Sequence, residues 1–219
     1  MNRWQLLEGL DPADSRTILA AATTRRLPPH VNIYEQSQLT SSVFSLSTGR
    51  ARYFTITPDG RKVLLHWLVP GDTLGLAAML QRPTHYRVSA ETVRESSVLV
   101  WSRERMQSLI EEYPRLLHNA LTVSMGYLDL YIAAHLALVS DSARQRLASV
   151  LVRLTDSIGH EVSGGVELEV TNEELASAAS ITLFTASRIL SEWQAERALT
   201  KRRGRIILHS PKDLLRLTA

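Results

Sequence analysis

Thr171-Asn-Glu-Glu-Leu-Ala-Ser-Ala-Ala-Ser-Ile-Thr-Leu-Phe-Thr-Ala-Ser-Arg-Ile-Leu190 reads as two short helices around a tight turn at Ser180-Ile181, the layout of a helix-turn-helix. Thr171 and Glu174 have the spacing of a capping box, in which hydroxyl and carboxylate each satisfy a free backbone amide of the other residue. Thr182 caps the second helix by accepting from an amide one turn in. Leu175, Ala176, Ala179, Ile181, Ala186, Ile189 and Leu190 form the apolar set expected to pack the helices together. This leaves Leu183, Phe184, Ser187 and Arg188 outward at the start of the second helix, where a DNA-binding helix-turn-helix presents side chains to base edges.

The charge distribution agrees with that reading. Net charge is only +3. Between Arg188 and Arg216, however, eight basic residues (Arg188, Arg197, Lys201, Arg202, Arg203, Arg205, Lys212, Arg216) stand against three acids (Glu192, Glu196, Asp213), a local balance of +5. Beside a helix-turn-helix such a cluster suits phosphate binding. The absence of cysteine excludes disulfides, thiolate zinc sites and cysteine-ligated iron–sulfur clusters. No apolar run is expected to approach a membrane span, and Met-Asn-Arg-Trp-Gln is not a secretion signal, so a cytoplasmic protein away from membranes is expected.

Working outward, residues 1–26 read as a short helical lead-in, with Asp11-Pro12-Ala13-Asp14 opening a helix near Arg16–Ala22. From Val31 to Trp101 short β-type runs (43–46, 51–57, 63–69, 88–93, 98–101) alternate with turn signals such as Pro58-Asp59-Gly60, which predicts an antiparallel barrel or sandwich. After Arg103 the pattern is helical. Leu117, Leu121, Ser124, Leu128, Tyr131, His135 and Leu138 fall on four- and three-residue steps, a heptad seam. A helix of roughly 25 residues is about 38 Å long, more than a small barrel covers, so the seam is read as a dimer contact. Asp141 or Ser142 caps the next helix, 143–156. Residues 159–165 read as a loop and 166–170 as a strand, and the residues around Arg203-Gly204-Arg205 read as a β-hairpin wing. The expected fold is α+β: an antiparallel β-barrel or sandwich over 1–112, a long helix read as a dimer contact over 113–139 and a winged helix-turn-helix over 140–219.

The chain resembles the CRP/FNR family of transcription regulators. The resemblance rests on Gly49, Pro58-Asp59-Gly60-Arg61-Lys62, Leu68-Val69-Pro70-Gly71-Asp72-Thr73-Leu74-Gly75, Arg146-Leu147-Ala148 and the segment from Thr171 to Leu190. It implies a homodimer on palindromic double-stranded DNA, a cyclic-nucleotide-binding-like β-roll that senses an effector, and contact with RNA polymerase. By the family pattern Leu183, Phe184 and Arg188 stand where an arginine, a glutamate and a second arginine read bases. Arg188 alone is kept, and an arginine there binds guanine through two parallel hydrogen bonds, worth about 1–3 kcal/mol in discrimination. Leu183 and Phe184 either pack on thymine methyl groups or, in Phe184's case, pack on a neighbouring segment and read nothing. Thr171, Thr182, Thr185, Lys201, Arg202, Arg203 and Arg205 are assigned to phosphates, which fix register without carrying sequence information.

The presumed effector pocket departs from the family members that bind cyclic AMP. Those carry a glutamate after the glycine equivalent to Gly75 and an Arg-Ser pair before the next strand. Here the positions hold Leu76 and Thr84-His85, which offer neither a ribose acceptor nor a phosphate charge. Arg82 or Arg87 reaches the site only if the loop is rebuilt. Cyclic AMP is therefore not the expected effector; one of another kind, or none, is. Another branch of the family uses haem held through a histidine or a terminal nitrogen, and among the histidines His85 and His135 are the candidates. A cupin-like metalloenzyme would need a His-x-His pair, but His66 has Leu64 and Leu68 at the two-residue offsets. No enzyme activity is expected.

Overall fold

The structure, a computed structural model, describes residues 4–216. Residues 1–3 and 217–219, at the ends of the first and last assigned domains, lie outside the described residues. Two compact units, Met1–Leu130 and Tyr131–Ala219, divide the chain within a long helix.

The first unit holds helix α1 (Pro12–Ala20) and strands β1 (Thr23–Leu27), β2 (Asn32–Tyr34), β3 (Ser42–Thr48), β4 (Ala51–Ile56), β5 (Lys62–Leu68), β6 (Thr73–Leu74), β7 (Ser89–Thr92) and β8 (Ser96–Ser102). Helix α2 (Arg103–Glu112) and the start of α3 (Arg115–Ser140) follow. The strands form two antiparallel four-stranded sheets, ordered β1-β8-β3-β6 and β2-β7-β4-β5. One apolar cluster, including Leu46, Leu68, Leu74 and Val98, fills the roll. A second joins Ile18, Val43, Trp101, Met106 and Leu116 beneath the helices. Trp101 is 1% exposed and its indole N–H donates to the Ile18 carbonyl at 2.8 Å, so packing and polar satisfaction coincide there. The Pro58-Asp59-Gly60 turn forms as expected, with Gly60 at φ 81° and its N–H donating to the Thr57 carbonyl at 2.8 Å.

Two expectations are corrected. The lead-in does not stay helical to residue 26: Thr23–Leu27 is β1, with only Leu27 buried. Its polar face hides the usual alternation, and the strand exists because β8 pairs along it from Thr23↔Val100 to Leu27↔Ser96. Likewise residues 159–165 are not all loop. Strand β9 (His160–Val162) is exposed throughout and is held by pairing with β10 (Gly165–Leu168).

The second unit continues α3 and adds α4 (Ala143–Ile158), β9, β10, α5 (Asn172–Ala178), α6 (Leu183–Ala195), β11 (Leu199–Arg202), β12 (Arg205–Leu208) and a terminal α7 (Pro211–Arg216). Its sheet runs β11-β12-β10-β9. Ser142, rather than Asp141, caps α4, in a complete capping box with Gln145. Leu147, Ala148, Leu151 and Leu154 of α4 are buried, as are Leu175, Ala186, Leu190, Trp193, Leu199 and Leu208.

Helix α3 has 26 residues, about 39 Å at 1.5 Å per residue. Leu116 and Ala120 near its start are buried, but a run of its apolar residues is exposed in the single chain: Leu117, Leu121, Met125, Leu128, Ile132, Leu136 and Val139. They step by four, four and three residues, an eleven-residue pattern close to the pitch of a straight helix. Ser124, Tyr131, His135 and Leu138 of the expected seam flank this stripe and are exposed too. The helix is also long and apolar enough, at a mean hydropathy of 1.3, to meet the length and composition test for a membrane span. This corrects the expectation that no apolar run approaches one. The reason is that an unpaired apolar helix face and a lipid-facing helix have the same composition.

Candidate nucleic-acid interface and effector site

In the helix-turn-helix both expected caps form. The Glu174 N–H donates to Thr171 Oγ1 at 3.2 Å and the Thr171 N–H to Glu174 Oε2 at 2.8 Å. The Thr185 N–H donates to Thr182 Oγ1 at 3.1 Å, and the two threonine hydroxyls bond each other at 2.8 Å. The turn runs through Ser180 at φ 52°, a left-handed conformation costing a non-glycine residue roughly 1–3 kcal/mol. Arg146 of α4 holds it there, donating to the Ala179 carbonyl at 2.9 Å, to the Ser180 carbonyl at 3.5 Å and to the Asp141 carbonyl at 2.6 Å. The sequence offers Arg146 only as a family motif residue; its place across the turn is visible in three dimensions alone.

Of the packing set, Leu175, Ala176, Ala179, Ala186, Ile189 and Leu190 are buried and Ile181 is half-buried. The outer face of α6 carries Leu183, 51% exposed, and Phe184, 79% exposed. Phe184 therefore does not pack on a neighbouring segment of the chain. Ser187 is partly engaged, accepting from the Asn172 side-chain amide at 3.2 Å. Arg188 reaches outward and pairs with Glu192 one turn on, Nη1 to Oε1 at 2.7 Å. Glu192 in turn accepts from Arg144 of α4 at 2.7 Å, while Arg144 also binds Glu196 at 2.9 Å.

The wing is the hairpin of β11 and β12, closed by the two-residue loop Arg203-Gly204. Arg202 and Arg203 lie exposed at its tip. The other two basic side chains are tethered: Lys201 Nζ donates to Ser191 Oγ at 3.2 Å and Arg205 pairs with Glu167 at 3.1 Å.

In the roll, Gly75 has φ 72°, and a Cβ there would lie 2.8 Å from the Ser42 carbonyl oxygen and 3.2 Å from the Phe44 and Tyr86 rings. Leu76 is half-buried against the apolar cluster under the helices. The Thr84 carbonyl accepts from the Thr40 N–H at 2.8 Å. Arg82, His85 and Arg87 are exposed. What the sequence reading missed is the aromatic filling nearby. Tyr34 stacks on Tyr86 at 4.0 Å between ring centroids and on Phe44 at 5.5 Å. The Tyr86 hydroxyl accepts from the Ser41 and Ser42 N–H groups and donates to the Ser42 carbonyl. Burial pushes the Tyr34 phenol well above its usual range, so it stays neutral.

A cleft of about 320 Å³ lies in the first unit, lined by residues including Gln5, Glu8, His66, Asp72, Asn119 and Tyr127. Its lining holds two carboxylates and neither lysine nor arginine. His66 meets Tyr127 edge-on at 5.5 Å. Asp72 is buried, accepting from the Val69 N–H at 2.8 Å and the Gln5 side-chain amide at 2.9 Å. Desolvation raises its carboxyl from 3.8 to about 6. The Gln5 side-chain oxygen Oε1 is buried without a hydrogen-bond partner. His85 and His135, the histidines singled out for haem, are both exposed, and among the described residues no group of three or more His, Cys, Asp or Glu stands ready for a metal ion.

A capped two-helix reader with a basic wing, in a chain that also carries a β-roll, defines a winged-helix DNA-binding regulator. The comparisons agree. Residues 24–113 match the model of the cyclic nucleotide-binding domain, and residues 145–217 match that of the Crp-like helix-turn-helix domain. The chain is 27% identical over 192 residues to the transcriptional activatory protein AadR of Rhodopseudomonas palustris, covering 87% of this chain and 79% of that protein. It is 27% identical over 203 residues to the nitrogen fixation regulation protein FixK of Rhizobium meliloti, covering 92% and 88%. Among solved structures, FixK2 from Bradyrhizobium japonicum superposes with a TM-score of 0.78 at 22% identity, covering 90% of this chain and 98% of that one. The chain belongs to the CRP/FNR family, as a DNA-binding transcription regulator.

Proposed function

We propose that the protein acts in the cytoplasm as a homodimer on a palindromic operator, under an effector other than cyclic AMP, and contacts RNA polymerase. In this reading residues 1–112 sense the effector, 113–139 pair the subunits and 140–219 read DNA. The observation that carries it is the outer face of α6, where Leu183, Phe184 and Arg188 project from a capped helix beside the exposed wing tip. Arg188 is assigned to a guanine, and Leu183 and Phe184 to thymine methyl groups, since apolar side chains have no hydrogen bond to give a base edge. Ser187 lies between them. Thr171, Thr182, Thr185, Arg202 and Arg203 are assigned to phosphates, with Lys201 and Arg205 joining once released from their tethers. The apolar stripe of α3 supports pairing, because an unpartnered stripe of this length is costly in water.

Against cyclic AMP stand Leu76, the exposed Arg82 and Arg87, and a cleft that carries carboxylates without a cation. An anionic nucleotide needs charge-assisted donors. One observation favours a second reading, in which the roll takes no effector: Tyr34, Phe44 and Tyr86 already fill its interior.

A selection of full-length protein on random duplex DNA tests the main reading. Two inverted half-sites are expected, each with a guanine whose preference disappears in Arg188→Ala and thymines whose preference weakens in Phe184→Ala. A single unrepeated site, or unaltered preferences in both variants, refutes it. Native mass spectrometry of protein purified without added ligand separates the two effector readings: a retained small molecule supports the first, and bare protein whose operator affinity ignores a cell extract supports the second.

A further inference from the structure

The pairing of Arg188 with Glu192 is held from outside its own helix. An exposed ion pair is worth only about 0–1 kcal/mol, and on a helix Arg before Glu is the weaker order. Left alone, this pair would be transient. Glu192, however, is fixed through its second oxygen by Arg144 Nη1 at 2.7 Å. Arg144 is itself fixed on two further sides. Its Nη2 binds both oxygens of Glu196 at 3.0 and 2.9 Å, its guanidinium lies 5.2 Å from the centroid of the Trp193 ring, and Trp193 is completely buried. The Arg144 side chain is 28% exposed, against 58% for Arg188. The order is thus a clamped arginine, a carboxylate that it orients, and an outward arginine that the carboxylate orients in turn.

We propose that Arg144 and Glu192 are specificity-determining positioning residues: they hold the Arg188 guanidinium extended from α6, so that its remaining N–H groups meet a guanine without first being ordered. The inference rests on the assignment of Arg188 to a base. Neither Arg144 nor Glu192 needs to touch DNA. Because Arg144 holds the second oxygen of Glu192, the carboxylate works as a buttress and not as a competitor for Arg188.

The test uses full-length protein and two duplexes, the selected operator and the same operator with the guanine assigned to Arg188 replaced by adenine. Arg144→Met keeps an unbranched apolar side chain of similar length but removes the fork that binds Glu192 and Glu196 and lies over Trp193. Glu192→Ala removes the buttress at a carboxylate that is 38% exposed, so folding survives if Arg144→Met does not. Each change is expected to lower guanine-over-adenine discrimination by about 2- to 12-fold, the entropy of ordering one side chain. The salt dependence of binding should stay unchanged, and the double variant should lose no more discrimination than either single one. Glu196→Gln, which touches Arg144 but not Arg188, should have a smaller effect. Unchanged discrimination in both Arg144→Met and Glu192→Ala, while Arg188→Ala abolishes it, overturns the relay and leaves the base assignment standing. Tighter binding by Glu192→Ala also overturns it, by making Glu192 a competitor. Unchanged discrimination in Arg188→Ala sinks the base assignment and the relay with it.

Discussion

Replacing Asp72 with asparagine should make the protein more stable at neutral pH, against the usual effect of changing a buried residue. Asp72 is 8% exposed and has no ion pair among the described residues; its partners are the Val69 and Gln5 amides. Burial lifts its carboxyl to about 6 from an unfolded value of 3.8. Each pKa unit corresponds to about 1.4 kcal/mol, so ionisation costs roughly 3 kcal/mol more in the folded protein than in the unfolded chain. Below about pH 4 both states hold the proton and no cost arises. Between there and about pH 6 the folded state keeps a proton that the unfolded chain has lost, so stability falls as pH rises, and above that window the full cost is present. Asparagine removes this cost; the Val69 N–H bond is already counted in the shift, and the charge-assisted bond from the Gln5 amide that is given up is worth about 1 kcal/mol more than a neutral one. The Gln5 amide then turns to offer its unpartnered oxygen to the amide group of the introduced asparagine. The net gain is roughly 2 kcal/mol near pH 8, or about 4–8 °C in the transition of the first unit, and it fades towards pH 4. Scanning calorimetry of Asp72→Asn and wild type across this range, at fixed concentration and ionic strength, measures the difference. A variant no more stable than wild type near pH 8, or equally shifted at both ends of the range, refutes the reasoning.

Two further changes test the proposed pairing through α3 and the wing. Leu121 is 62% exposed in the single chain, and full burial of a leucine is worth about 1.5–3 kcal/mol. A two-fold axis counts the unburied part twice, so Leu121→Ala should raise the dimer dissociation constant roughly 20- to 500-fold; sedimentation that finds less than a threefold change refutes the seam. Arg203→Ala should weaken binding to all duplexes alike and reduce the logarithmic salt slope by about 0.9 for each phosphate left without its cation. An unchanged slope removes Arg203 from the phosphate-binding set.

The helix-turn-helix was legible in the sequence because its signals are local. Thr171 with Glu174, and Thr182 with Thr185, act over three residues, and the chain itself brings them together. Strands β1 and β9 were not legible, because their own residues are polar and exposed and the reason they extend lies in partners, β8 for one and β10 for the other. Distance along the chain also hid Arg144: it meets Glu192 from 48 positions away. The four-residue spacing of Arg188, Glu192 and Glu196 was the one sequence signal for that network. In the roll, Tyr34 and Tyr86 were equally separate in sequence, and their stacking gave no sign in the family motifs. The helical periodicity after Arg103 matched a helix that forms, α3, whose use in pairing remains a proposal. The heptad spacing set Ser124 and His135 in the seam, however, whereas the exposed apolar stripe runs through Met125, Ile132 and Leu136.

Arg146 bears on how the molecule can be taken apart. The strained elbow at Ser180 is kept in shape by a guanidinium from α4, more than thirty positions upstream, and α4 begins only at the Ser142 cap. A fragment starting at β9 or β10 would keep both reading helices and the wing, yet it would leave the elbow free to relax and the face of α6 to drift. The smallest portable DNA-reading cassette therefore starts no later than Ser142. A transplant onto another scaffold has to bring the whole of α4 with it.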